Sequence, residues 1–236
     1  MPRKNAPVEY VRILPVIASP ALVLASNSPR RRELLALGGW TFSVRPADVN
    51  ESQMPGEAPR AYVLRLARCK AQVCAKSAQL GEIIVAADTT VAIDGKLLGK
   101  PSDAAEAEEM LLLLRGRRHQ VHTGIGVKKG DTLLTDLCTT DVPMRQYSDA
   151  EIAAYVASGD PLDKAGAYAI QHAGFHPVEN FAGCFASVMG LPLCHLLRLL
   201  RQVDVFPATD LPAACQASLE YQCPISAAVL RGEMAG

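Results

Sequence analysis

Apolar and polar positions along this chain alternate between two periods, and each change of period marks an element. Ala21-Leu22-Val23-Leu24-Ala25 is an unbroken β-prone run and predicts a buried strand. A helix is predicted from Pro29 to Leu37, with Leu34, Leu35 and Leu37 apolar, Ser28 as N-cap and Pro29 as first helical residue. Thr41 to Val44 reads as a strand, and Asn50 to Pro59, with Pro55, Gly56 and Pro59, as a loop. From Pro59 to about Ala78 the apolar residues Tyr62, Leu66, Cys69 and Val73 recur at helical spacing. Ile83 to Ala87 predicts a second buried strand, closed by Asp88-Thr89-Thr90. A hairpin follows, Val91 to Ile93 and Lys96 to Leu98 about an Asp94-Gly95 turn. Ser102 or Asp103 caps a helix to Leu114. His119–Lys128 and Thr132–Val142 read as longer strands joined by Lys129-Gly130-Asp131. Ser148 caps a helix to about Ala157, broken by Gly159-Asp160-Pro161. Asp163 to Asn180 reads as loop, and Leu191 to Val203, introduced by Pro192, as a last amphipathic helix. Beyond Phe206 the chain is rich in Ala and Pro with weak periodicity, and is expected to be peripheral. Strands and helices interleaved in this way indicate a mixed α/β fold.

Composition narrows the possibilities. The 236 residues are 49% hydrophobic, enough for one large domain or one domain of two lobes. Lys+Arg and Asp+Glu both number 24, and that balance argues against a nucleic-acid coat or a polybasic membrane binder. No apolar run approaches the ~18 residues of a membrane span. Val11 to Leu24 is broken by Pro15 and Pro20, which disfavours a signal peptide. Seven scattered cysteines without a C-x-x-C pair suggest reduced thiols and a cytoplasmic protein. There is no Walker loop, G-x-G-x-x-G, G-x-S-x-G or helical H-x-x-x-H.

Candidate chemistry gathers where predicted strands end. Ser26-Asn27-Ser28-Pro29-Arg30-Arg31-Arg32 places two hydroxyls and three guanidiniums at a helix start, whose free N–H groups suit a phosphate. The plainer reading is an ordinary capped helix with solvated arginines. Asp88 can hold a divalent cation or orient a water, or can simply cap Thr90 in a turn. Glu51 is a second acidic candidate or a solvated loop residue. Lys70 and Lys100 can neutralise phosphate oxygens or lie on exposed faces. In the segment Gly159 to Gln171, small residues permit close approach, and Gln171 has both donor and acceptor for a uracil or thymine edge. A tight buried turn explains that segment equally well.

Together the segments resemble the Maf family of nucleoside triphosphate pyrophosphatases. The resemblance covers about residues 21–202 and rests on six motifs in order. They are Ser26-Asn27-Ser28-Pro29-Arg30-Arg31, Arg65-Leu66-Ala67 with Lys70, Ala87-Asp88-Thr89, Gly99-Lys100-Pro101, Asp163-Lys164-Ala165-Gly166-Ala167-Tyr168 with Gln171, and Gly190-Leu191-Pro192. It implies an elongated two-lobed mixed α/β fold with a central cleft, similar to inosine triphosphate pyrophosphatases. It also implies hydrolysis of a nucleoside triphosphate to the monophosphate and pyrophosphate, metal-assisted, as a means of limiting incorporation of modified nucleotides. Asp88 is then the catalytic acid/base residue, and Ser26, Ser28, Arg30, Lys70 and Lys100 form the phosphate side. Glu51 and Asp88 would hold a divalent cation, Mg2+ or Mn2+. Arg31, Thr89 and Gln171 match positions associated with specificity in the dTTP/UTP branch, and Lys164 belongs to the segment typical of it.

Three departures stand out: Asn50 where an acidic residue commonly precedes Glu51, Arg115-Gly116-Arg117 for a Ser-Gly-Arg-like turn, and His172 rather than Gly after Gln171. The implied organisation is a leader at 1–20, a Maf-like domain at 21–203 and a C-terminal extension of unknown role at 204–236. The expected partner is a nucleotide, with no nucleic acid or membrane; a homodimer is compatible with the chain. The rival readings are a non-catalytic nucleotide-binding regulator of cell division, and a pyrophosphatase for modified or purine nucleotides such as 7-methyl-GTP.

Overall fold

The computed structural model describes residues 21–233, so the leader at 1–20, and with it most of the segment weighed as a signal peptide, lies outside the described residues. One six-stranded mixed sheet organises the chain. Its order is β2 (Phe42–Val44), β1 (Leu22–Leu24), β3 (Ile83–Ile93), β5 (Arg118–Lys129), β6 (Thr132–Pro143), with β4 (Lys96–Leu98) paired to β3. β1 pairs parallel with β2 and β3, and the rest of the sheet is antiparallel. All three residues of β1 are buried, as a parallel strand covered on both faces should be. Asp94 and Gly95 take φ of 51° and 75°, the left-handed pair that a two-residue hairpin turn requires.

The sequence reading divided β3 at Asp88, and the structure corrects this. Ile83 to Ile93 is one strand of eleven residues, and Asp88 is its sixth. It therefore neither closes a strand nor caps a turn. Pairing with β5 runs unbroken from Ile83↔Lys129 to Ala92↔Gln120, with Asp88 opposite Gly124. A polar triplet in the middle of a strand mimics a strand end in a one-dimensional pattern; only the neighbouring strand shows that the ladder continues.

Because the strand alternates, β3 serves two lobes. Ile83, Val85 and Ala87 pack with α1 (Pro29–Ala36) and α6 (Leu193–Arg201) in the first lobe. On the same face, Val91 and Ile93 pack with α3 (Ala104–Leu114) and α4 (Asp149–Ala157) in the second. Thr89 falls between the two clusters. On the opposite face Ile84 and Ala86 pack against α2 (Pro59–Ala75), and Asp88 follows them in the alternation. The result is a mixed α/β fold of two lobes with long strands running through both.

Helix α2 lies unusually close to the sheet because Gly124 and Gly126 have no side chain. A Cβ at Gly124 would fall 2.6 Å from the Val63 carbonyl oxygen, and one at Gly126 would fall 2.9 Å from that of Ala67. This approach carries Lys70 to Asp88. Helix α2 ends at Ala75 rather than near Ala78, and α6 begins at Leu193 rather than Leu191. Helix α4 starts with a reciprocal capping box between Ser148 and Glu151.

Residues 204–233 are built into the first lobe, against the expectation of a peripheral tail. Val205, Leu211 and Val229 are buried in its core. Helices α7 (Leu211–Ser218) and α8 (Ser226–Leu230) were missed because their mostly Ala-rich faces carry little periodic signal, as was the single turn α5 (Phe185–Val188). The Ala208 N–H and Thr209 hydroxyl donate to the carbonyls of Gly38 and Leu37, taking up groups left open where α1 ends. Among the described residues no helix is long and apolar enough to cross a membrane.

A buried histidine in the second lobe sets an acid limit on stability. His119 is 2% exposed and its Nε2 meets the Tyr168 hydroxyl at 2.8 Å. Burial pushes its pKa down from 6.5 to about 4. Between those values the unfolded chain holds the extra proton, so stability is complete above pH 6.5 and falls as pH drops toward 4. The loss is about 3 kcal/mol at 1.36 kcal/mol per unit. Denaturant titrations at pH 7 and pH 4.5 should therefore differ more for the parent than for His119→Gln. Equal differences would remove His119 from the acid limit.

Candidate active site

A cleft of about 470 Å³ opens between the two lobes. Ser26, Ser28, Arg30, Arg31, Glu51, Lys70, Thr89, Lys100, Lys164 and Gln171 all line it, and Asp88 reaches it through Lys70. Ten of the candidates named from the sequence thus line one cleft, with Asp88 bonded to one of them. Arg32, the third arginine of the run, is exposed and outside the lining.

The loop after β1 supplies the first wall. Ser28 is the N-cap of α1, its hydroxyl accepting from the Arg31 N–H at 3.4 Å, and Pro29 begins the helix. Ser26 Oγ accepts from the Ser28 N–H at 3.2 Å, so one hydroxyl shapes the loop that presents the other. Arg31 folds back against the lobe junction. Its Nε donates to the Gly190 carbonyl at 2.9 Å, Nη1 to Ser26 Oγ at 3.3 Å and Nη2 to Thr89 Oγ1 at 3.2 Å. Burial lowers the Arg31 pKa, and the Asp88 charge opposes that shift. Arg30 points the other way, 4.0 Å from Asp163 across the cleft.

At the centre, Lys70 Nζ lies 2.6 Å from Asp88 Oδ1 and 2.6 Å from Glu51 Oε1. Burial holds the Asp88 carboxyl above the usual carboxylate value, against the pull of Lys70 and Arg31. A carboxylate displaced toward neutrality is suited to exchanging protons with water. Glu51 is exposed, and its loop is held by groups on α2: Tyr62 donates to the Glu51 carbonyl at 2.9 Å and Arg65 to the Ser52 carbonyl at 3.0 Å. Arg65 also grips Glu57 with two bonds, of 2.6 and 2.7 Å. Asn50, the departure from an acidic pattern, accepts from the Ser52 N–H at 2.9 Å and so closes the turn next to Glu51.

The second lobe supplies the opposite wall. The Gly166 N–H donates to the Gly99 carbonyl at 3.0 Å, which brings the Lys100 turn beside the Lys164 segment. Gly166 takes φ of 71°, and a Cβ there would meet Val91 at 2.9 Å, so both conformation and space call for glycine. Lys164 differs from the other cations. Its ammonium lies within 3.0 Å of the Asp160 carbonyl, Asp160 Oδ1 and Asp163 Oδ1, so its donors already hold this turn together. Lys100 and Gln171 are exposed on the rim.

Sequence reasoning missed the groups that act through others. Arg65 and Tyr62 hold the Glu51 loop, and Gly190 accepts from Arg31. Thr123 bonds Thr89 from behind at 2.9 Å, and the cleft also includes Pro46, Ala47 and Met189. Arg65 and Gly190 lay inside quoted motifs, but nothing local in the sequence indicated what they would touch.

The chain is similar to known proteins over most of its length. The family described as Maf-like protein matches residues 21–203. A dTTP/UTP pyrophosphatase of Anaeromyxobacter dehalogenans is 49% identical over 193 residues, covering 80% of this chain and 96% of that protein. A dTTP/UTP pyrophosphatase of Thermomicrobium roseum is 46% identical over 213 residues, covering 88% and 94%. Among solved structures, a nucleoside-triphosphatase (dITP/XTP pyrophosphatase) of Mycobacterium abscessus is 14% identical with a TM-score of 0.41, covering 78% of this chain and 98% of that one. With a family match across most of its length and relatives near half identity, the chain belongs to the Maf-like protein family.

Proposed function

We propose that this protein hydrolyses nucleoside triphosphates, dTTP and UTP by preference, to the monophosphate and pyrophosphate. The observation that carries the reading is the convergence of hydroxyls, arginines and lysines on one cleft around the raised carboxyl of Asp88. The relatives of the same family described as dTTP/UTP pyrophosphatases support the substrate class.

The products require water to attack the α-phosphorus while its bond to the bridging oxygen breaks. Asp88 takes the proton of that water, and pyrophosphate leaves with the bridging oxygen. Charge builds on the phosphate oxygens during this step, so positioning and electrostatic support dominate the barrier. Ser26, Ser28 and Arg30 hold phosphate oxygens at the start of α1, and Lys100 neutralises them from the opposite lobe. Lys70 holds Asp88 and Glu51 together. Lys164 keeps the Asp160–Asp163 turn in place rather than meeting phosphate, because its donors are engaged there.

A divalent cation fits the donor set. Glu51 and Asp88 flank one cationic position, now that of Lys70 Nζ, and hard carboxylate oxygens suit Mg2+ or Mn2+. No group of three or more His, Cys, Asp or Glu converges among the described residues, so these two would hold the ion with help from substrate phosphates. When bound, such an ion supplies charge neutralisation and acidifies water.

Gln171, exposed on the rim of the cleft, would read the base edge. Pyrophosphate release from dTTP, UTP, CTP, GTP and 7-methyl-GTP should be fastest with the first two. Gln171→Ala should lower that preference on the order of tenfold, the scale of one discriminating hydrogen bond. No turnover of any triphosphate with added Mg2+ or Mn2+ would leave a nucleotide-binding regulator. A best rate with 7-methyl-GTP would leave a role in clearing modified nucleotides.

A further inference from the structure

Arg31, Thr89 and Thr123 form a chain of hydrogen bonds whose direction is set at its buried end. Thr123 is fully buried and lies behind the cleft wall. Its Oγ1 is 2.8 Å from the Ser187 carbonyl oxygen, which can only accept, so the single hydroxyl proton of Thr123 is committed there. Thr89 Oγ1 lies 2.9 Å from Thr123 Oγ1, and of the two hydroxyls only Thr89 still has a proton to donate. Thr89 therefore donates inward. Arg31 Nη2 donates to Thr89 Oγ1 at 3.2 Å and occupies one lone pair. The remaining lone pair is what Thr89 can offer to the cleft it lines. Gly190 leaves that side open, since a Cβ at that position would stand 3.4 Å from Thr89 Oγ1.

Ser26 has the opposite polarity. Its oxygen accepts from the Ser28 N–H at 3.2 Å and Arg31 Nη1 at 3.3 Å, so its own proton is directed elsewhere. The Arg31 guanidinium thus touches two cleft hydroxyls of opposite polarity, Ser26 with a proton to give and Thr89 with a lone pair to offer.

We infer that Thr123 is a positioning residue for base selection, holding Thr89 as an acceptor that requires a hydrogen-bond donor on the substrate. A ribose hydroxyl turns to suit either polarity and would not be discriminated. A base edge cannot turn in this way. Uracil and thymine share a donor at N3, whereas cytosine has a lone pair there, so a fixed acceptor separates them. This inference rests on the proposed nucleotide hydrolysis and adds to it the source of pyrimidine choice.

The test compares kcat/KM for UTP, CTP and 3-methyl-UTP in the parent, Thr123→Val and Thr123→Ser. Valine cannot receive the Thr89 proton, which frees the hydroxyl to donate toward the N3 lone pair of CTP. The UTP-to-CTP ratio should fall on the order of tenfold in Thr123→Val, about what one hydrogen bond contributes. Thr123→Ser keeps the hydroxyl and should keep the parental ratio. A purely structural role would lower both nucleotides alike, and an unchanged ratio in Thr123→Val overturns the inference. So does a shift in Thr123→Ser as large as in Thr123→Val. The parent alone provides a further check: 3-methyl-UTP, which lacks the N3 donor, should be hydrolysed at least about tenfold less efficiently than UTP. Equal efficiency overturns the inference whatever the variants do. A parent that releases no pyrophosphate from UTP or dTTP overturns the hydrolase reading itself, and this inference with it.

Discussion

Asp88→Asn should lower kcat for pyrophosphate release by about 10²- to 10⁴-fold, the range of a positioned acid or base. The fold should persist. Asparagine keeps an oxygen to accept from Lys70, now 2.6 Å from Asp88, and Lys70 keeps Glu51 as its counter-charge. Nucleotide affinity measured without a divalent cation should hold or improve, because a negative charge beside the phosphates is gone. Steady-state kinetics with a binding measurement on dTTP separates the two effects. Full turnover by this variant would remove Asp88 from the chemistry.

The pH profile adds a second reading of the same group. Burial raises the Asp88 pKa above its ordinary value of 3.8. The acid limb of kcat/KM should therefore fall above that value, and Asp88→Asn should lack the limb. A limb that survives in the variant belongs to another residue.

Lys70→Met is expected to cost stability as well as activity. The ammonium is the direct hydrogen-bond partner of Asp88, and the two side chains are 10% and 9% exposed. Removing one member of a buried pair leaves an uncompensated charge, at a cost of about 3–5 kcal/mol. The cost should depend on pH in a definite direction. Without Lys70 the folded pKa of Asp88 rises further, so between 3.8 and that value the folded state binds more protons than the unfolded chain. Stability of the variant should then fall as pH rises through that window, and the variant should be closest to the parent in acid. Lys70→Met combined with Asp88→Asn should recover much of the loss, since the unpaired charge is absent. Additive losses in denaturant titrations would show that the two side chains do not act as a pair.

These variants bear on how much of the molecule could be read without its structure. The starts of α1 and α4 and the turn before β4 were legible because their signals are local. Ser28 meets the Arg31 N–H three residues on, Ser148 and Glu151 cap each other across the same interval, and Asp94-Gly95 is a turn in itself. The break assigned at Asp88 was wrong for the converse reason. Polarity in the middle of β3 follows from its passage between two cores, and β5 continues through it. Helices α7 and α8 were missed because alanine gives little contrast between faces, although Leu211 and Val229 anchor them firmly.

The candidate residues were named from their chemical types and from family resemblance, and the cleft that gathers them was not legible in any one segment. Lys70 and Asp88 are 18 residues apart, Arg31 and Thr89 58, and Arg31 and Gly190 159. What the amino-acid order determined by itself is where helices start, where hairpins turn and which segments carry phosphate-binding groups, since each depends on residues a few positions apart. The tertiary structure alone decided which groups meet, that Lys70 bridges two carboxylates, and that Lys164 is tied to its own turn. It also decided the direction of the Thr89 hydroxyl. The physical reason is that burial and hydrogen-bond polarity belong to neighbours in space, and a sequence orders neighbours only along the chain.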